Sequence, residues 1–224
     1  MKIRWLAHSC FFLTGSDGTT VMTDPYEPGG FGGAMRHRPF TGNVDIVTIS
    51  HGHADHAYTA GLTERAKIVD GLELARAGRP RQIGPVTLRA IHTFHDARKG
   101  ADRGENAVVA IGLDNVNVIH LGDLGHDLTA EQAAPLGPVD VLLTPVGGHF
   151  TIDARAAWEI VQALKPKIVI PMHVKTPQLD FPIAAVDEFL AGKPTVERVR
   201  GSDIEVTQEA LPAETKIVVL EPAL

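Results

Sequence analysis

The stretch that most constrains this chain is His51-Gly52-His53-Ala54-Asp55-His56, directly after Val44-Asp45-Ile46-Val47-Thr48-Ile49-Ser50. An apolar run of that kind reads as a buried strand. Side chains two apart on an extended segment point the same way, so His51 and His53 can converge on one point. Asp55 and His56 follow where the chain turns away, and a helix is expected to begin near Ala57. Three imidazoles and a carboxylate within six residues suit a borderline divalent cation such as zinc. Histidines also cluster in tags and on solvated loops, but a tag sits at a terminus and does not continue a strand. Any fold for this chain must therefore deliver a strand end to a shared ligation point.

The same arrangement recurs downstream. Val118–Leu121 precedes Asp123, Val141–Leu143 precedes Gly147-Gly148-His149, and Ile168–Ile170 precedes His173. Val86–Ile91 alternates like a half-buried strand and leads into His92 and His95-Asp96. In open α/β sheets, ligands gather outside the carboxyl ends of strands. Strand ends collected on one edge would bring these side chains together despite their separation in sequence.

The remaining segments give a mixed α and β pattern. Ile3–Leu13 reads as an early strand interrupted or bent around His8-Ser9, and Gly15–Gly18 turns into a second strand, paired with it as a hairpin, that ends at Asp24-Pro25. Tyr26–Gly42, with Arg36, His37 and Arg38, reads as a long loop of the kind that often covers a site. Thr63–Ala66 has no clear type, Lys67–Val69 suggests a brief strand, and Gly71–Gly78 a short helix. A charged loop, Ala97–Glu105, carries Arg98, Lys99 and Arg103, and strands are expected at Asn106–Gly112 and Val116–Leu121. Thr129–Gln132 suits a helix start. Asp153–Leu164 has apolar residues at helical spacing, Ile183–Leu190 suggests another helix, and Ile204–Val206 and Ile217–Leu220 two late strands. No repeat and no linker-like break divides the chain, so one α/β or α+β domain over residues 1–224 is expected.

Composition excludes some roles. The net charge of -6 gives no broad basic face for nucleic acid. No apolar run approaches the roughly 20 residues of a membrane span, and the N-terminal residues lack a signal-peptide core. The single cysteine, Cys10, permits no intramolecular disulfide, which fits a cytoplasmic location. Between Ser9 and Phe11-Phe12-Leu13 it reads as a buried strand thiol. A small-molecule substrate is thus the expected partner, with neither membrane nor nucleic acid, and a homo-oligomer is compatible with the sequence.

His51-x-His53-x-Asp55-His56, followed by a later His, a later Asp and a final His, resembles the metallo-β-lactamase superfamily. Gly122-Asp123-Leu124-Gly125-His126, Pro145-Val146-Gly147-Gly148 and Pro171-Met172-His173 look like its broad branch of metal-dependent hydrolases. That branch is similar to the ascorbate-6-phosphate lactonases and, more distantly, to the N-acyl-phosphatidylethanolamine phospholipases D. The resemblance runs from Asp24 to His173 and implies an αββα four-layer sandwich with a metal site at one edge. It implies two divalent ions, zinc first, with manganese or iron also permitted by the ligand types. His51, His53 and His95 would hold one, Asp55, His56 and His173 the other, and Asp123 both. Asp24 would brace the histidine loop from behind. The family pattern, a His followed by a small or acidic residue, favours His95 over His92.

What the resemblance implies for activity is a hydrolase using a metal-bound hydroxide to cleave an ester, lactone or phosphodiester bond. The net positive charge of such a site favours a small anionic metabolite. Asp55 would orient the nucleophile or shuttle its proton, His126 is a second catalytic candidate, and His8, Arg103, His149 and Lys175 are candidates for substrate contact. The alternatives are a nuclease or phosphodiesterase, a flavodiiron-like redox protein, and a non-catalytic metal-binding protein of the same fold. The missing export signal argues against a true β-lactamase.

Overall fold

Short β-branched and apolar runs, punctuated by glycine and Asp-Asn turns, form two sheets in the computed structural model, which describes residues 1–224 except Thr63 and Arg65. The segment Thr63–Ala66 therefore lies partly outside the described residues. With strands numbered in chain order, the first sheet is ordered β13 (Asp203–Glu205), β1 (Lys2–Ala7), β2 (Cys10–Thr14), β3 (Thr20–Thr23), β4 (Ile46–Ile49), β5 (Lys67–Asp70). The second is ordered β12 (Val196–Arg198), β14 (Lys216–Val219), β11 (Ile168–Met172), β10 (Val141–Pro145), β9 (Val116–His120), β8 (Glu105–Leu113), β7 (Val86–Phe94), β6 (Arg81–Ile83).

One core draws on both sheets. Phe11, Leu13 and Ile46 of the first meet Leu88, Ile119 and Leu143 of the second in a continuous buried cluster. Fully burying such a side chain stabilises by about 1.5–3 kcal/mol. Strands β9, β10 and β11 run parallel at the centre of their sheet. Strands β10 and β11 are buried along their whole length, which is why their sequences are mostly apolar rather than alternating.

The outer layers differ on the two sides. Helix Ala154–Leu164, capped by the Asp153 carboxylate accepting from Ala156 N at 2.9 Å, buries Ala157, Ile160 and Val161. It packs on β10 beside helix Val186–Leu190. On the first sheet, Leu6, Cys10, Met22 and Val47 are covered by Tyr26, Met35 and Leu179 from irregular chain. The long loop is thus a packing layer, tied down by a Met35–Leu179 bridge and by Tyr26 Oη donating to Arg38 O at 2.6 Å. Among the described residues, no helix is long and apolar enough to cross a membrane.

Several boundaries depart from the sequence expectation. Ile3–Leu13 is interrupted at His8-Ser9 rather than bent: His8, at φ 53°, helps reverse the chain, and β1 pairs antiparallel with β2. No helix begins at Ala57; the chain there is irregular. The helix expected over Ile183–Leu190 starts only at Val186, because the backbone of Ala184 is already engaged, donating to Gly147 O and accepting from Lys175 N. The short edge strands β6 and β12 had no apolar run to announce them.

Register then gathers the polar residues. His120, Leu143 and Ile170 are level across β9, β10 and β11, so Asp123 and His173, each three residues further on, leave the sheet at equivalent heights. In the first sheet Thr23 is level with Thr48, which places Asp24 beside the chain entering His51.

Candidate metal centre

Three residues of the site sit in backbone conformations that side chains rarely adopt: His8 at φ 53°, Asp24 at φ 39° and His173 at φ 52°. The left-handed region costs roughly 1–2 kcal/mol for a non-glycine residue, and such strain persists where the surroundings over-determine it. The first turn and the end of β11 are joined directly, His173 N donating to His8 O at 3.2 Å. Gly125 is there for clearance, since a Cβ would collide with the backbone of His95 and Asp96. Gly122, at φ 57°, lets the chain turn against Ser50 and Asn106.

Asp123 lies at the centre. Its Oδ2 is 3.2 Å from His56 Nε2, 3.2 Å from His95 Nε2 and 3.4 Å from His173 Nε2. Around it, ligand-capable atoms of His51, His53 and His95 all lie within 4.8 Å of one another, and so do those of His8, Asp55, His56 and His173. Each group could hold a metal ion. The chemistry of the donors fits one: His56 Nε2, both nitrogens of His173 and Asp123 Oδ1 are buried and make no hydrogen bond. A buried polar atom left unpaired costs about 1–3 kcal/mol, and a cation shared among these atoms removes that cost.

A second ring of groups holds the donors in place. Asp24 Oδ2 accepts from His56 Nδ1 at 2.9 Å and from Ser50 Oγ at 2.5 Å, while Oδ1 accepts from Ser50 N at 2.8 Å. Ser50 Oγ in turn lies 2.9 Å from His51 Nδ1, so one carboxylate orients two imidazoles. An acceptor on the far ring nitrogen fixes tautomer and direction. Asn106 Oδ1 accepts from Asp123 N at 3.0 Å while its amide donates to Leu121 O at 3.0 Å. His120 closes the back of the site, 2.8 Å from Ser9 O and accepting from Gly122 N. Sequence reasoning found Asp24 and missed Ser50, Asn106 and His120: Ser50 follows β4, His120 ends β9, and Asn106 stands near the start of β8.

Burial and charge set the protonation states. Burial lowers the His51 pKa to about 3, helped by His56, and lowers that of His8 to about 4, helped by His173. Both rings are neutral. At His56 burial pulls the same way, but the Asp123 and Asp55 charges and the Asp24 hydrogen bond hold its pKa well above normal. Burial would raise Asp123, yet His173 and His56 keep it well below the usual carboxylate range. Asp55 is likewise held low against burial by His56 and by His8, whose Nε2 lies 3.2 Å from Asp55 Oδ2.

Of the seven expected ligands, His51, His53, Asp55, His56, His95, Asp123 and His173, the structure brings all together, with His53 at the exposed mouth. His92 is not among them; it pairs with Glu105 at 2.7 Å away from the cluster. His126, expected as a catalytic group, is not brought in either. Its Nε2 accepts from Phe94 N at 3.1 Å and its Nδ1 lies 2.7 Å from Asp127 O, so both ring nitrogens are committed to backbone. Instead His126 and His149 line a separate cavity. Lys175 donates to Asp180 and to Phe181 O, and Arg36 and Arg38 tie down loops through Pro177 O and Ala223 O. Arg103 does reach the site. A cavity of about 460 Å³ opens over His53, Asp55, His95, Asp123 and His173, with Arg103, Phe31, Phe150 and Phe181 among its walls.

Two sheets with histidines and aspartates at converging strand ends define a class, and the comparisons agree: the model of the beta-lactamase superfamily domain matches residues 2–173, and the chain belongs to that superfamily. Within it, the chain belongs to the UPF0173 metal-dependent hydrolases. It is 33% identical over 195 residues to the member from Pyrococcus horikoshii, covering 79% of this chain and 85% of the relative. A crystal structure from Thermotoga maritima, of a metallo-β-lactamase superfamily protein, superposes with a TM-score of 0.76 at 35% identity, covering 98% of each chain. Igni18, a metallo hydrolase of Ignicoccus hospitalis, shares the fold at a TM-score of 0.64 and 22% identity, covering 99% of this chain and 95% of that one.

Proposed function

We propose that this metal-dependent hydrolase works with two divalent ions, zinc first, and cleaves an ester, lactone or phosphodiester bond of a small anionic metabolite. His51, His53 and His95 hold one ion, Asp55, His56 and His173 the other, and Asp123 is shared. The observation that carries this is Asp123 Oδ2 lying 3.2–3.4 Å from nitrogens of His56, His95 and His173, amid buried donors that have no other partner. Bound divalent ions supply Lewis acidity and lower the pKa of water from ~15.7 to about 7.

The chain's own groups do the rest. Asp24 and Ser50 fix the ring orientations of His56 and His51, so the donors are set before anything binds. Asp55, kept ionised chiefly by His56 and hydrogen-bonded to His8, faces the cavity and can orient an attacking water as an acceptor. Arg103 at the rim offers a cation to an anionic group.

The test is turnover of a panel of model esters, lactones and phosphodiesters by chelator-treated protein before and after addition of zinc or manganese. Activity should appear with metal and fall by at least about a hundredfold in His53→Ala and Asp123→Ala, in line with the 10²-fold scale of positioning losses. Equal turnover by wild type and both variants would sink the proposal.

A further inference from the structure

The wall of the cavity facing the metal cluster is aromatic. Phe31 and Phe181 meet edge to face with centroids 5.2 Å apart, and Phe150 meets Phe181 at 5.8 Å. Phe181 then contacts the ring of His8 at 5.8 Å, and His8 lies against His173 at 4.2 Å. The aromatic wall thus lines the same cavity as His173, and behind it Phe181 packs on the buried ring of His8, which lies against His173. Arg103, its guanidinium 5.7 Å from the Phe150 centroid, is the sole Lys or Arg among the described lining residues.

Phe31 is the unusual member. It is 51% exposed, one of two large hydrophobic side chains so exposed among the described residues. Its backbone is at φ 53°, ψ 46°, in a segment where Gly29, Gly32 and Gly33 also take positive φ. The segment is nevertheless fixed: Gly29 N donates to Met35 O at 2.7 Å, and Asp180 N donates to Ala34 O at 2.9 Å, which binds it to the chain carrying Phe181. A strained backbone that holds a phenyl ring half in water, over a site, returns little to the fold beyond one edge contact with Phe181. It gains when an apolar group occupies the cavity.

We infer that Phe31, Phe150 and Phe181 form a seat for an apolar acyl or aryl group attached to the scissile bond, so that the substrate is an amphiphile and not a polyhydroxylated sugar phosphate. The cavity, about 460 Å³, falls within the range of small-molecule sites and takes a phenyl group or a short alkyl chain. The lining carries one guanidinium, Arg103, which also donates to His149 O, beside the Asp102 carboxylate, so it suits at most one negative group. This inference rests on the hydrolase proposal for the location of the scissile bond.

The experiment is calorimetric titration of the zinc-loaded full chain with acetate, butyrate, hexanoate and 3-phenylpropionate, carboxylates with one head group and a growing apolar part. In wild type, Kd should fall about three- to fourfold per added methylene, the value expected for a buried CH₂, and 3-phenylpropionate should bind tighter than butyrate. In Phe31→Gly the gain per methylene should drop below about twofold, the loss of one wall halving the burial. Glycine suits the left-handed backbone, so the thermal midpoint of this variant should equal or exceed that of wild type. Phe31→Asn, which also tolerates that conformation, serves as the second variant. A flat series, no measurable binding of 3-phenylpropionate, or the same slope in both variants as in wild type overturns the aromatic seat. The hydrolase proposal fails separately, if the zinc-loaded protein shows the slope yet turns over none of the matching 4-nitrophenyl esters.

Discussion

Asp24→Asn is the substitution that most sharply probes how the site is held. The change is isosteric and lies at a fully buried residue, 1% exposed. Oδ1 can still accept from Ser50 N, but an amide nitrogen now faces Ser50 Oγ and His56 Nδ1, which were 2.5 and 2.9 Å from the carboxylate. The serine hydroxyl can rotate to accept. His56 cannot do so without becoming the tautomer protonated at Nε2, the nitrogen that faces Asp123 at 3.2 Å. A protonated nitrogen has no lone pair for a metal. Loss of such a supporting partner lowers metal affinity about 10–100-fold, or roughly 1.4–2.7 kcal/mol. The metal-free fold should also lose about 1.5–3 kcal/mol, the contribution of a hydrogen bond to a charged group. Competition with a chromophoric chelator measures the first quantity, and urea unfolding in EDTA the second. A folded Asp24→Asn protein that binds zinc within twofold of wild type would refute the bracing role.

Other expectations concern neighbouring groups. Asn106→Ala strands Asp123 N and Leu121 O, both buried, and should destabilise the fold by about 2–4 kcal/mol in urea; a change below about 1 kcal/mol would show that water replaces the amide. His95→Ala should lower the zinc content of purified protein, whereas His92→Ala, whose side chain pairs with Glu105, should leave it unchanged; the reverse pattern would exchange their roles. Asp96 accepts from the backbone N–H groups of Arg98, Gly100, Asp102 and Arg103. Burial opposes ionisation there, but those four donors win and lower its pKa from 3.8 to about 2. A depressed folded-state pKa contributes stability that is present above the unfolded value and lost as pH falls through the folded one. The urea midpoint of wild type should therefore drop between about pH 4 and pH 2, and Asp96→Asn should flatten that limb; parallel curves would contradict the assignment.

What could be read from sequence depended on how local each feature is. The clustering was legible because His51, His53, Asp55 and His56 are neighbours, and because Asp123 and His173 follow largely apolar runs that read as strands; the grouping into ligands came from the family resemblance. Register across β9, β10 and β11 then does what strand-end logic requires. Long-range features were hidden. The polar break at His8-Ser9 was visible, but that it is a full reversal through a left-handed histidine was not. His126 resembled a site residue by proximity to Asp123 in sequence, yet its ring turns outward to cap the end of β7 through Phe94 N. Asn106 and Ser50 act through contacts with residues 17 and 26 positions away, and only folding shows such pairings. The aromatic wall joins Phe31, Phe150 and Phe181 from three loops, none with a pattern that marks a shared surface.

The most direct measurement is anomalous diffraction at the zinc edge from crystals of chelator-treated protein soaked with zinc. Two peaks flanking the Asp123 carboxylate are predicted, one within bonding distance of His51, His53 and His95 and the other of Asp55, His56 and His173, with both lost in Asp123→Ala. No peak at the cluster, or density confined to surface histidines such as His92 and His149, would contradict the account.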